Sequence, residues 1–181
     1  MNLPDHGTAA AGLIRAARPA DARPIAAVHV TTWRDAYAGL LPDEVLAGLD
    51  TGEWADRWRG RLAAPAAGTF VLVFEQDGRV GGFVSGGPSR EQFPGGEVYA
   101  IYVDPACQGR GAGSRLLAAA ARHLAEAHFT DASLWVLVSN HPARRFYESQ
   151  GWRSDGTEQP WTHPGGNAVM EVRYVRSLAA G

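Results

Sequence analysis

The sequence predicts an α/β domain of the α+β kind. One mixed, mainly antiparallel sheet is flanked by helices in the order β-α-α-β-β-β-α-β-α-β-β. Three observations predict it. A strand, a glycine-rich turn and an amphipathic helix follow one another over residues 98–129. Asp77-Gly78, set between two apolar runs, signals a hairpin, because both residue types tolerate the left-handed backbone of a tight turn. Two helical stretches precede that hairpin, and two strand-like runs close the chain. With 181 residues, 45% of them hydrophobic, the chain is long enough for one domain with a sizeable core.

Each element has its own justification. Residues 13–18 form a short first strand. Residues 21–41 are helical, with Pro24 in the first turn, where its missing N–H costs nothing. Ala26, Val30, Trp33, Tyr37 and Leu40 make one face of that helix. A second helix over 43–62 places Trp54, Trp58 and Leu62 four apart. Residues 69–74 and 79–85 are the hairpin strands. Gly95-Gly96 introduces a strand over 97–103, which Asp104-Pro105 ends. The helix over 115–129 carries Leu116, Leu117, Ala120, Leu124 and Ala127 at helical spacing. A strand follows at 134–138. Residues 152–154 and 168–175 read as the last two strands, separated by a loop over 156–167. The expected organisation is one domain over 13–176, with tails at 1–12 and 177–181.

The chemistry begins at Gln108-Gly109-Arg110-Gly111-Ala112-Gly113. Glycines leave no Cβ between backbone and ligand. The first amides of the following helix have no partner within it and lie at the positive end of its dipole. Such a turn is a pyrophosphate cradle. Two phosphate-loop patterns fail here. The Walker pattern needs Lys and Ser/Thr after its last glycine, but Ser114-Arg115 follows Gly113, and the chain has no lysine. The dinucleotide fingerprint needs a glycine where Ser114 stands. Asp131 precedes the next strand rather than ending one.

The same loop, written Gln108-x-x-Gly111-x-Gly113, resembles motif A of the GCN5-related N-acetyltransferases (GNAT). After one helix and one strand comes Asn140-x-x-Ala143-x-x-Phe146-Tyr147-x-x-x-Gly151-Trp152, which resembles that family's motif B. Ile14 to Asp21 is similar to its first strand and helix start. Thr32-Trp33-Arg34-Asp35-Ala36-Tyr37 is similar to one branch of small bacterial members. The resemblance spans about residues 13–176. It implies the acyl-CoA N-acyltransferase fold and transfer of an acetyl group from acetyl-CoA directly to an amine, with no metal.

The resemblance also implies roles. Main-chain groups of Ile101, Tyr102 and Val103 would pair with the pantetheine arm. Amides of Gln108, Gly109, Arg110, Gly111, Ala112, Gly113 and Ser114 would hold the pyrophosphate. Tyr147 would protonate the leaving thiolate as well as border the cofactor; the alternative is that it only packs. Asn140 would contact the cofactor or, as Asn favours, cap a helix. Glu97 aligns with the catalytic glutamate of the histone-acetylating branch; its alternative is a solvated residue at a strand start. Tyr99 shares the Glu97 face if no bulge intervenes. Trp33 and Tyr37 border the acceptor or belong to the core. Trp161 and His163 lie in the last loop, another acceptor border or plain surface. Val138 stands where related bacterial members often carry an acidic residue. Cys107 adjoins the loop without a nearby histidine to activate it.

Composition narrows the function further. The net charge is −2 and all 17 basic residues are arginine, so no basic face points to nucleic acid or a membrane. One cysteine rules out an internal disulfide. The histidines show no metal spacing. No basic region followed by an apolar run opens the chain, and no segment approaches a membrane span, so the expected location is cytoplasmic. The expected partners are acetyl-CoA and an amine acceptor, preferably a small molecule. A homodimer is compatible with the resemblance, since many relatives pair through late strands or sheet edges. A protein N-terminal acetyltransferase and a non-catalytic acyl-CoA sensor are the alternatives.

Overall fold

The computed structural model describes residues 12–162, 166 and 168–178. His163, residues 1–11 of the expected N-terminal tail and residues 179–181 of the expected C-terminal tail lie outside the described residues. Seven strands form one sheet in the order β1-β2-β3-β4-β5-β7-β6, made of β1 (Leu13–Ala16), β2 (Phe70–Gln76), β3 (Arg79–Pro88), β4 (Gly96–Val103), β5 (Asp131–Leu137), β6 (Arg153–Thr162) and β7 (Ala168–Ser177). All neighbours pair antiparallel except β4 and β5, which run parallel. The mixed, mainly antiparallel sheet is therefore observed. The helices are α1 (Ala22–Ala36), α2 (Asp43–Ala47), α3 (Thr51–Ala63), α4 (Ala112–Glu126) and α5 (His141–Ser149).

The sheet is covered on both faces, and the period-two alternation of its strands decides what goes where. On β2, Phe70, Leu72 and Phe74 face the core under α4, while Val71 and Val73 face the core under α1 and α3. Helix α4 sinks Leu116, Leu117, Ala120 and Leu124 into the first core. Burying each leucine contributes about 1.5–3 kcal/mol. Helix and sheet approach closely at Gly96, where a Cβ would lie 2.7 Å from Leu124 Cδ2. On the other face Ile25, Ala26, Trp58 and Phe83 form the second core.

Four details depart from the pattern read in the sequence. The helix expected over 21–41 ends at Ala36, with Tyr37 as its C-cap, so Leu40 lies beyond it. The helix expected over 43–62 is two helices, because Gly48 closes α2 and the Asp50 carboxylate caps α3 by accepting from Glu53 N at 2.8 Å. The loop expected from residue 156 is mostly strand, since β6 runs to Thr162 against β7. Finally, β4 carries a bulge. Ser85 pairs with Ala100 but Gly86 pairs with Val98, so Tyr99 is the extra residue. Val98 and Ile101 consequently face the same core, three positions apart. The condition that placed Tyr99 on the face of Glu97 is not met.

Candidate active site

The bulge and the parallel pairing together open the site. Strands β4 and β5 are hydrogen-bonded only at Gly96–Ala132 and Glu97–Ser133, and then separate. Past Glu97, the side of β4 turned toward β5 has no strand partner. A cleft of about 1970 Å³ passes through the divergence and continues past β1, β2 and α3. It is bordered by Ile101, Tyr102 and Val103, by the glycine loop with the start of α4, and by Asn140 and Tyr147 of the α5 region. Of the residues the sequence nominated, only Arg110 and Glu97 do not border it, His163 lying outside the described residues.

Local chemistry sets the loop geometry. Asp104 Oδ1 accepts from Ala106 N at 2.9 Å and starts a 3₁₀ turn, Pro105–Cys107. Gln108 Nε2 then donates to Val103 O at 3.0 Å, tying the loop back to the end of β4. Gly109 and Gly111 have φ of 72° and 78°, a left-handed backbone that glycine adopts without strain. No heavy atom lies within 4 Å of a Cβ built on either. Arg115 N is the first amide of α4 to reach a carbonyl, at Gly111 O (3.1 Å). The amides before it are left for a ligand. An exposed cradle of amides beside an unpaired strand edge fits a pyrophosphate joined to an amide-bearing arm.

The other end of the cleft is aromatic. Trp33 packs edge to face on Tyr37 (centroids 5.2 Å apart) and Trp161 (6.0 Å). Tyr37 and Tyr102 meet there, within electrostatic reach of Tyr147 and Glu171. Burial pushes all three phenols above the ordinary tyrosine value, so each is a neutral hydroxyl at physiological pH. Behind them lies His29, 5% exposed, its ring stacked on Tyr102 at 5.0 Å and 4.0 Å from Trp54. Neither of its nitrogens has a hydrogen-bond partner. Burial pushes its pKa down to about 3, with Arg61 adding to the effect, so it is neutral as well.

Two nominated residues have occupations of their own. Asn140 Oδ1 accepts from Ala143 N at 3.2 Å, so Asn140 caps α5 while bordering the cleft. Glu97 is 1% exposed and bound to Arg90. Its Oε2 accepts from Arg90 N at 2.9 Å and its Oε1 from Arg90 Nε at 3.1 Å, with Arg90 Nη2 in contact as well. The Arg90 guanidinium in turn covers the ring of Tyr99 at 4.3 Å, while Tyr99 Oη donates to Pro88 O at 2.6 Å. Cys107 lies against Gly81 rather than in the cleft. Among the described residues no group of three metal-ligating side chains occurs, and no helix is long and apolar enough to cross a membrane.

Glu171 and Gln159, which also border the cleft, were missed in the sequence. Their only signal was a carboxylate inside an apolar run, Val169-Met170-Glu171-Val172.

Comparison with known proteins agrees with this geometry. Residues 27–152 match the family model described as acetyltransferase (GNAT) family. The chain is 38% identical over 138 residues to an uncharacterized N-acetyltransferase, YuaI, of Bacillus subtilis, covering 75% of this chain and 77% of that one. It is 30% identical over 162 residues to a probable N-acetyltransferase, Rv2775, of Mycobacterium tuberculosis, covering 89% and 91%. Among solved structures, the PaiA N-acetyltransferase of Thermoplasma acidophilum, solved with coenzyme A, superposes with a TM-score of 0.71. It shares 18% identity and is covered over 98% of its length by 89% of this chain.

Proposed function

This chain belongs to the GNAT family of acetyltransferases and is an acetyl-CoA-dependent N-acetyltransferase; we propose that it acts on a small molecule carrying a primary amine. The observation that carries this is the aromatic end of the cleft. Trp33, Tyr37, Tyr102 and Trp161 wall it with apolar surface and neutral hydroxyls, suited to a compact acceptor rather than to an extended chain. The net charge of −2 adds no basic or strongly acidic docking face.

In this reading the glycine loop and the start of α4 bind the pyrophosphate of acetyl-CoA, and the open edge of β4 from Ile101 to Val103 pairs with its amide-bearing arm. The thioester then lies near Tyr147. The acceptor nitrogen attacks the thioester carbonyl, and holding both reactants in one cleft supplies most of the rate enhancement. Tyr147, a neutral phenol at the meeting point of the two ends, gives its proton to the departing sulfur. Burial keeps that proton on the phenol until a thiolate forms beside it. Glu97, held by Arg90 and off the cleft, serves to anchor Arg90 over Tyr99.

The test is free-thiol release with acetyl-CoA against a panel of small primary amines and short peptides with free N-termini. Release with a small amine is the expected result. Release with peptides alone would overturn the small-molecule reading, and acetyl-CoA binding without release from any acceptor would favour a sensor.

A further inference from the structure

Glu171 is the carboxylate for which the architecture otherwise gives no reason. It sits on β7 between Leu137 of β5 and Gln159 of β6, half-buried in a sheet position where a carboxylate is costly. We propose that Glu171 binds the acceptor's ammonium and takes its proton. The proposal rests on the reading of the cleft as the transferase site.

Three observations carry it. Glu171 borders the same cleft as Tyr37 and Tyr147, and Tyr37 feels the charges of both. Gln159 Nε2 donates to Glu171 Oε1 at 2.7 Å, and no second donor among the described residues reaches the carboxylate. One oxygen is thus fixed and the other has capacity to accept. The alternative carboxylate, Glu97, already accepts from Arg90 N and Arg90 Nε and does not border the cleft.

The electrostatic surroundings agree. Burial raises the proton affinity of Glu171, Gln159 and the Arg90 charge oppose this, and the charges of Glu91 and Glu97 add to it. The residue facing it from β5, Leu137, is apolar, and Tyr37 is neutral. Such a carboxylate is poised to receive a proton from an ammonium and return it to solvent.

The proton balance closes. The ammonium gives one proton to Glu171. The neutral amine then forms the C–N bond at the thioester carbonyl. Collapse of the tetrahedral adduct breaks the C–S bond, and the sulfur takes the Tyr147 proton. The second proton on the adduct nitrogen restores the phenol. Glu171 releases its proton to water, giving amide, free thiol and one proton per turnover.

The test uses the best amine from the thiol-release panel with wild type, Glu171→Gln and Glu171→Asp, measured from pH 5.5 to 9 alongside calorimetric titration with acetyl-CoA. Glu171→Gln should lower kcat/KM by roughly 100-fold or more. It should also erase the acidic fall-off of the wild-type profile and leave acetyl-CoA affinity within about twofold. Glu171→Asp should recover part of the rate. A Glu171→Gln enzyme within about threefold of wild type, with an unchanged pH profile, overturns the inference and leaves the transferase reading intact. Absence of acetyl-CoA binding by wild type overturns both.

Discussion

Glu97 and Arg90 form a closed pair at the start of β4. The carboxylate side chain is 1% exposed while the guanidinium side is 60% exposed, so the charge is buried from one side only. The pair joins the loop after β3 to the start of β4, beside the point where β4 leaves β5. Its physical role is to hold that junction.

Removing the partner should therefore cost more than removing the charge. Arg90→Ala leaves a buried carboxylate with only the backbone amide of residue 90, and should destabilise the fold by about 1–3 kcal/mol. Glu97→Gln should cost less, and should keep the wild-type pH dependence of kcat. Urea unfolding of both variants and one pH profile check this. A lost acidic limb in Glu97→Gln would return the base to Glu97.

Tyr147→Phe removes the phenolic proton and little volume. Turnover should fall by roughly 100-fold, while acetyl-CoA affinity stays within about twofold. Calorimetry and steady-state kinetics separate the two. Unchanged kcat would mean that another group or water protonates the thiolate.

The glycine loop is testable through its backbone. At Gly111 there is space for a side chain but the φ of 78° excludes one at low cost. Gly111→Val should strain the turn by about 1–2 kcal/mol and weaken acetyl-CoA binding roughly tenfold or more as the amides lose their alignment. Calorimetric titration of the folded variant reads this directly. Unaltered affinity would show that the loop is not the phosphate cradle.

His29 makes a prediction about pH and stability. Unfolded, it takes up a proton below its ordinary value of 6.5; folded, burial holds it neutral down to about 3. The unfolded state therefore binds more protons in that window, and stability falls as pH falls. The loss is about 1.4 kcal/mol for each pH unit below 6.5. Urea unfolding at pH 7, 6 and 5 should show a shallower slope for His29→Gln than for wild type. Equal slopes would show that His29 is protonated in the folded protein.

These residues also mark how far the sequence could be read. The β4–loop–α4 unit was legible because glycine placement, strand composition and the Leu116-Leu117-Ala120-Leu124 spacing all specify the same local structure. Motif B was legible for the same reason, since Asn140, Pro142 and Tyr147 are fixed by one short helix. The break between α2 and α3 was hidden because the Trp54, Trp58 and Leu62 spacing lies wholly within α3 and carries no information about the residues before the Asp50 cap. The length of β6 was hidden because Gly156 and Pro160 read as loop, whereas its strand conformation comes from pairing with β7. Partners set by strand pairing left no local trace: Arg90 captures Glu97, and Gln159 fixes Glu171, through a bulge and a register that only the folded sheet defines.

The most direct test of the account is calorimetric titration of the wild-type chain with acetyl-CoA. The cleft between β4 and β5 predicts saturable binding with one site per chain and a dissociation constant of roughly 1–100 μM, in the range of enzymes' working substrate affinities. No heat of binding at high micromolar acetyl-CoA would contradict the assignment of the glycine loop and of the cleft with it.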